Sequence, residues 1–488
     1  MRKIVVVHHP SDWRLDIPNV EVVSSQEYLT NPLYANLRNV RVFNLSRNYW
    51  YQSSGYYVSL LGEARGHKVI PSVTTIQDLK SSTLVKTISD DLDELIQRTF
   101  AKLKGSKFTF SIYFGRNPNK RYDELAHKLY GLFQAPLLRA QFLFTEKWEL
   151  QGINAISMKE IPDSHFEVVR DSAQSYFGKK RYDGGRATKA LFDLAILVEP
   201  GEVSPPSNAR AIQKFVDAGE RAGFDVDLIT KDDYDRLPEY DALLIRETTA
   251  VNHYTYRFAR MAVAEGMPVM DDPVSILRCS NKVYLQEVLA KANVRTPKTM
   301  IVHKKNREQV VEVLGGFPIV LKKPDSSFSQ GVSKVDDLPA LNRQLDQLLD
   351  DSDLVIAQEF LPTDFDWRVG MLGGQPLFGC KYYMAKQHWQ IYNWERKTKN
   401  RREGDDATLS LDEVPEDVLK AATQAAKLMG NGLYGVDLKQ VGKKVYVIEV
   451  NDNPNVDAGH EDVVGGDAIY DAVIGHLRAE LDKKFGSL

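Results

Sequence analysis

The sequence predicts a multidomain protein of mixed α/β and α+β class. It divides into an N-terminal α/β extension over residues 1–190, a small doubly wound α/β domain over 191–275, and a C-terminal domain over 276–488. Three observations predict this. A chain of 488 residues is too long for one core. Up to residue 275, short apolar runs alternate with helical segments closed by glycine, the pattern of parallel strands joined by helices. Beyond it, apolar runs meet at polar turns, at Gly373-Gly374 and at 441–444, which join antiparallel partners.

The elements follow in order. Runs 4–7, 20–23 and 41–45 read as strands; 55–65 is helical, stops at Gly66, and a strand resumes at Lys68. Run 107–115 alternates like a strand, 122–133 is helical, and the basic, glycine-rich 176–186 reads as a connecting segment. In the second domain, 192–198 is a near-continuous apolar strand suited to burial on both faces. Helix 208–222 closes at Gly223, strands follow at 224–229 and 240–246, and helix 254–265 stops at Gly266 before strand 267–270. No GxGxxG occurs there, so dinucleotide binding has no support. In the third domain, Asn281 and Lys282 open a helix to about Ala290, a strand follows Pro297, 315–322 is a turn leading into a buried strand, and 354–362 is another buried strand. No internal repeat, heptad array or low-complexity tract is evident.

Composition narrows the function classes. A net charge of −3 argues against a dedicated nucleic-acid binder. Cys279 and Cys380 form neither a CxxC nor a disulfide framework, so a reducing compartment and two buried thiols are expected. The first apolar run ends at His8, too early for a signal peptide or a membrane span. The expectation is a cytoplasmic protein with no membrane and no nucleic-acid partner.

The richest chemistry lies near the C-terminus. Asp437 stands on one β-rich segment, and Glu449 and Asn451 stand on the next. Residues two apart on a strand share a face, and a hairpin brings Asp437 beside them. Three hard oxygen ligands on one surface suit Mg²⁺ that also holds phosphates. Upstream, Lys322 ends a buried strand, and a small, hydroxylated loop from Ser326 to Gly331 can bring backbone N–H groups close to phosphates. It is not a Walker A loop, because GK[ST] is missing. Strand 354–362 ends in Gln358-Glu359-Phe360-Leu361, a carboxylate and apolar edge that fits adenine, and Asp366-Trp-Arg368 opens a hairpin.

In this order the motifs resemble the ATP-grasp fold. Within it they look like the RimK-type amino-acid (glutamate) ligases, relatives of glutathione synthetase and D-alanine–D-alanine ligase. The resemblance covers about residues 190–480, with a pre-ATP-grasp α/β domain ahead of the ATP-grasp domain. It implies that Lys282 and Lys322 contact ATP phosphates, with Lys323 an alternative for the second role. It implies that Ser326, Ser327, Ser329 and Gly331 belong to a mobile loop over the triphosphate, and that Gln358, Glu359, Phe360 and Leu361 border adenine. Asp437, Glu449 and Asn451 would hold Mg²⁺, usually as two ions, with Mn²⁺ an alternative. Segment 451–455 ends in Asn455 where the family usually has Asn-x-x-Pro-Gly. Residues 1–190 look like the long N-terminal extension of one RimK-like subgroup, and no role follows for them.

The implied activity is ATP-dependent carboxylate–amine ligation through an acyl phosphate, with Lys322 and Arg368 as catalytic residues. Arg368 would hold the carboxylate in line and stabilise its oxyanion. Lys381, Tyr392 and Asn393 lie where these ligases line the substrate cleft; basic and amide groups there favour an acidic amino acid such as glutamate. The acceptor would be an amine-bearing amino acid, peptide or acidic protein, and a homo-oligomer is expected from the relatives. The basic run 396–402 reads as a solvated loop. The alternatives are an ATP-grasp kinase acting on a small molecule and an ATP-binding regulatory module.

Overall fold

The computed structural model describes residues 2–37, 40–178, 190–325, 331–385, 388–391 and 404–485, apart from the side chains of Asp235 and Phe485. The chain forms two compact units, Met1–Phe192 with Asp232–Arg236, and Asp193–Lys231 with Leu237–Leu488.

The first unit opens with a parallel sheet of β1 (Arg2–Val7), β2 (Val20–Ser24), β3 (Val40–Asn44) and β4 (Lys68–Ile70), in the order β2-β1-β3-β4. Central strands buried on both faces need apolar side chains throughout, and residues 4–7 of β1 are fully buried. An antiparallel sheet follows, of β5 (Lys107–Tyr113), β6 (Leu137–Phe144) and β7 (Trp148–Ala155). Its core gathers Phe100, Phe110, Phe133 and Phe142, and edge-to-face contacts among Phe100, Phe110 and Phe142 add to simple burial. The expected connecting segment at 176–186 is corrected at its start. Residues 176–178 end the helix Phe166–Gly178, because Phe177 is buried against Phe43 and Phe114. Residues 179–189 lie outside the described residues.

The second unit begins with β8 (Phe192–Leu197), β9 (Phe224–Ile229), β10 (Ala242–Ile245) and β11 (Val269–Met270), in the order β9-β8-β10-β11. This is the order of the first sheet with each strand replaced by its counterpart, which corrects the expectation of no internal repeat. Helix Ser54–Ala64 precedes β4 as helix Tyr254–Ala264 precedes β11. Ser53 caps the first and His253 the second, and both are followed by a glycine at positive φ, Gly66 and Gly266. The two helices also bury corresponding positions: Val58 matches Phe258 and Ser59 matches Ala259. Their solvent faces differ. Tyr57 and Leu60 are exposed where the second helix carries Arg257 and Arg260. The same scaffold therefore accepts a cation at that place, and Tyr57→Arg is expected to change unfolding free energy by less than about 0.5 kcal/mol, read by urea denaturation.

Two antiparallel sheets complete the second unit. One holds β12 (Thr299–Val302), β13 (Ile319–Lys322), β14 (Val332–Val335) and β15 (Val355–Glu359), ordered β12-β15-β13-β14. Helix Leu338–Asp351 covers it through Leu341, Leu345 and Leu348, spaced one helical turn apart. The other holds β16 (Phe365–Leu372), β17 (Gln375–Tyr383), β18 (Asp406–Leu409), β19 (Leu433–Val441) and β20 (Lys444–Asp452), ordered β18-β17-β16-β19-β20. Helix Glu416–Met429 buries Val418, Ala422, Ala425 and Met429 against its inner face. The opposite face is polar and opens on a cleft. Among the described residues, no helix is long and apolar enough to cross a membrane.

Candidate active site

The cleft is lined from one side by the ends of β13, β14 and β15 and from the other by the polar face of β16, β19 and β20. Strand alternation builds that face. Asp437 pairs directly with Glu449 across β19–β20 and with Arg368 across β19–β16, while Asn451 pairs with Gly435. The register then shifts: Leu438 faces Val447, so Ile448 is an extra residue in β20. The bulge lets Ile448 and Glu449 both line the cleft, while Val447 and Val450 stay in the core. Gly435 makes room for the row, because a Cβ there would lie 2.7 Å from Pro454 Cβ.

Charges on this surface pair almost completely. The Arg368 guanidinium donates to Asp437 through Nε (2.6 Å) and Nη2 (2.7 Å), the bidentate geometry that makes such pairs strong. Asn451 Nδ2 also donates to Asp437 Oδ2, at 3.1 Å. Lys282 Nζ lies 2.8 Å from Glu449 Oε1. Lys439 pairs with Asp366 and donates to Thr363 Oγ1. That leaves Lys322. Its side chain is 8% exposed and its ammonium has no hydrogen bond or ion pair among the described residues.

These surroundings set the protonation states. Burial, with Lys282 and Lys439 nearby, lowers the Lys322 pKa to about 8, although Glu449 and Asp366 oppose the shift. Burial pushes Glu449 up, but Lys282 and Lys322 more than offset this and hold it below the usual carboxylate range. Burial raises Asp366 against the pull of Lys439. At the cleft's edge burial also raises Asp452, to about 7, and behind it Asp271 is raised by burial and by Asp452.

Local structure delivers each cation. Asn281 caps helix Lys282–Lys291 by accepting from the N–H groups of Val283 and Tyr284, so Lys282 starts the first turn. Lys322 ends β13 between Val332 and Ile356. At the other end of the cleft, the Glu359 carboxylate accepts the Lys298 N–H (2.7 Å) and Gln358 Nε2 donates to Thr299 Oγ1 (2.9 Å). Phe360 meets the Trp389 ring edge-on, with centroids 5.9 Å apart.

The structure thus brings Lys282, Lys322, Gln358, Glu359, Phe360, Leu361, Arg368, Asp437, Glu449 and Asn451 to one cleft. It separates two others. Lys323 points to the surface and pairs with Asp351 (2.8 Å), which removes it as the alternative to Lys322. Lys381 pairs with Trp367 in register and lies over the Phe365 and Trp367 rings at 4.9 and 5.0 Å. That is the face opposite Asp366 and Arg368, so the expected substrate contact is corrected by strand parity. Gly331 sits at φ +72° beside Lys323, at the end of the serine loop. Ser326, Ser327, Ser329, Tyr392, Asn393 and the basic run 396–402 lie outside the described residues.

Sequence reasoning missed several residues. Lys439 had a signal, since it lies two positions from Asp437 on the same strand. Arg246 had none. It directly follows β10, is fully buried, and donates to Ser207 Oγ (3.0 Å), Asn453 Oδ1 (2.6 Å) and the carbonyls of Pro206 and Pro454. It thereby fixes the loop that follows Asn451.

The chain is similar to several known proteins. Residues 279–469 match the RimK-like ATP-grasp domain, and residues 25–172 match the RimK-like ATPgrasp N-terminal domain. A probable alpha-L-glutamate ligase of Marinomonas sp. is 23% identical over 283 residues, 54% of this chain and 90% of the relative. An alpha-aminoadipate–LysW ligase, LysX, of Saccharolobus solfataricus is 23% identical over 253 residues, 50% of this chain and 88% of the relative. Among solved structures, D-alanine–D-alanine ligase of Bacillus anthracis aligns with a TM-score of 0.47 at 17% identity, covering 60% of this chain and 100% of that one. A RimK domain ATP-grasp protein of Sphaerobacter thermophilus aligns with a TM-score of 0.43 at 16% identity, covering 58% and 98%.

Proposed function

This chain is a RimK-like ATP-grasp protein of the carboxylate–amine ligase family, with the RimK-like N-terminal domain ahead of its ATP-grasp domain, and we propose that it adds an acidic amino acid such as glutamate to an amine-bearing amino acid, peptide or protein. The proposed domains remain 1–190, 191–275 and 276–488. The observation that carries the reading is the charge arrangement of the cleft. Three ion pairs and one buried lysine with no ion-pair partner among the described residues form a site suited to an anion. Burying a lysine without a partner is costly, and a phosphate beside Lys322 relieves that cost.

Family enzymes use ATP, and the donor set here fits a divalent cation as its companion. Asp437, Glu449 and Asn451 offer hard oxygen atoms on one face. Among the described residues, no group of three or more His, Cys, Asp or Glu side chains is set to hold a metal by itself, so phosphate oxygens would complete the shell. Mg²⁺, or Mn²⁺, would supply charge neutralisation at the phosphates. Were a cation held by Asp437 and Glu449, their partners Arg368 and Lys282 would turn to anionic ligand groups, which Lys322 would meet without giving up an ion pair.

In this reading the γ-phosphoryl moves to the donor carboxylate, and the amine displaces phosphate from the resulting acyl phosphate. Lys282 and Lys322 position the triphosphate, and Arg368 holds the carboxylate and its developing oxyanion. Gln358 to Leu361 border the adenine. Water exclusion is assigned to the 326–331 loop.

Lys322 gives a pH prediction. Phosphate at its ammonium favours the charged form, so ATP binding near pH 8 takes up roughly half a proton. Calorimetry in buffers of different ionisation enthalpy should show that uptake, and Lys322→Met should lose it. The free chain follows the opposite sign. The lowered Lys322 pKa costs stability below about pH 8, and that cost disappears as pH rises toward 10.5.

Mass spectrometry of products from ATP, Mg²⁺ and a mixed amino-acid and peptide pool tests the function. The expected product is two substrates joined with loss of water. A substrate gaining phosphate would replace the ligase by a kinase, and ATP binding without turnover would point to a regulatory module.

A further inference from the structure

Arg368 has a second neighbour besides Asp437. Tyr382 on β17 pairs with Asp366, and Arg368 pairs with Cys380, so the tyrosine and the arginine are diagonal neighbours on one face of the sheet. The Arg368 guanidinium lies over the Tyr382 ring, with its carbon 5.2 Å from the ring centroid. The ring is itself fixed. Tyr382 donates its hydroxyl to Glu461 Oε1, and Glu461 Oε2 accepts the Asp457 N–H at 2.7 Å. Glu461 is 3% exposed, so the anchoring end of this chain of contacts is held in the interior.

The consequence appears when Asp437 changes partner. In the ligand-free cleft Arg368 is oriented by the carboxylate. A cation at Asp437 would remove that orienting group just as the arginine is needed. The aromatic face is unaffected by the exchange, because it is neutral and anchored from behind. A guanidinium stacked on a ring keeps its plane and its edge donors available for a ligand. We propose that Tyr382, locked by Glu461, is the positioning residue that holds Arg368 aimed into the cleft once the metal occupies Asp437.

This inference rests on the ligase reading. Tyr382→Met fills the volume without a π face, and Tyr382→Phe keeps the face without the hydroxyl. The expected result is a fall in kcat of about tenfold or more for Tyr382→Met with the KM for ATP within about twofold of wild type. Tyr382→Phe keeps the face but loses the lock to Glu461, so its kcat should lie between those of Tyr382→Met and wild type, and thermal unfolding controls for the fold of both. Should Tyr382→Met not fold, Glu461→Leu is the second variant: it breaks the lock and should lower kcat to the level of Tyr382→Phe at unchanged KM for ATP. Wild-type kcat in Tyr382→Met or Glu461→Leu, or equal losses in Tyr382→Met and Tyr382→Phe, would overturn the inference alone. A wild-type chain that forms no amide with any substrate would overturn the ligase reading and this inference with it.

Discussion

Glu449→Gln is expected to lose ATP-dependent turnover by roughly a thousandfold or more. The change removes one charge from the oxygen row on β20, at the position directly opposite Asp437. A cation between phosphates and protein would then meet one carboxylate where it needs two. The glutamine also ends charge compensation at Lys282, whose side chain is 8% exposed. Its amide oxygen still accepts a hydrogen bond from that ammonium, so the fold should survive with a lowered melting temperature. A pH signature separates the two effects. Glu449 is held below the usual carboxylate range, so its contribution to stability is present above about pH 4.5 and is lost as pH falls through its folded value. The variant should lack that acid limb in a stability–pH profile. Near-normal turnover would contradict the ligand assignment.

Arg246→Met should give the largest loss of stability, about 3–5 kcal/mol by urea denaturation, if removing this buried ion resembles breaking a buried ionic network. Arg246 is 1% exposed, and burial lowers its pKa to about 10 even though Asp271, Asp457 and Glu461 favour its charge. Four hydrogen-bond acceptors surround it: Ser207 Oγ, Asn453 Oδ1 and two proline carbonyls. Methionine fills much of the volume and leaves all four without that donor. Asn453, at φ +44°, also donates to the Glu247 carbonyl, so the loop after Asn451 loses one of two anchors. Turnover should fall with stability, since that loop carries Asp452 and Pro454 into the cleft. Lysine at this position is no substitute, because one ammonium lacks the planar fork that reaches separated acceptors.

Elements whose signal is local were legible in the sequence. The hairpin carrying Asp437, Glu449 and Asn451 announced itself through apolar alternation and a polar turn. The helix at Lys282 announced itself through its Asn281 cap. What was not legible depends on partners far along the chain. Strand parity at Lys381 required the register between β16 and β17, which places Lys381 opposite Trp367 rather than beside Arg368. The bulge at Ile448 required the pairing of β19 with β20. Arg246 required Asn453, 207 positions away. The repeated sheet escaped notice because the two copies share buried positions and caps rather than residues: Val58 stands where Phe258 does, and Ser53 where His253 does. Over the helix and the strand after it, the few residues that recur as themselves are Tyr56 and Tyr256, Ala64 and Ala264, Val69 and Val269, and the positive-φ pair Gly66 and Gly266.

A crystal structure with a non-hydrolysable ATP analogue and Mg²⁺ tests the central claim most directly. The predicted result places oxygen atoms of Asp437, Glu449 and Asn451 about 2.0–2.1 Å from metal that also contacts phosphates, with Lys282 and Lys322 on those phosphates. Nucleotide bound elsewhere, or bound here with the Arg368–Asp437 and Lys282–Glu449 pairs intact and no metal at these side chains, would contradict it.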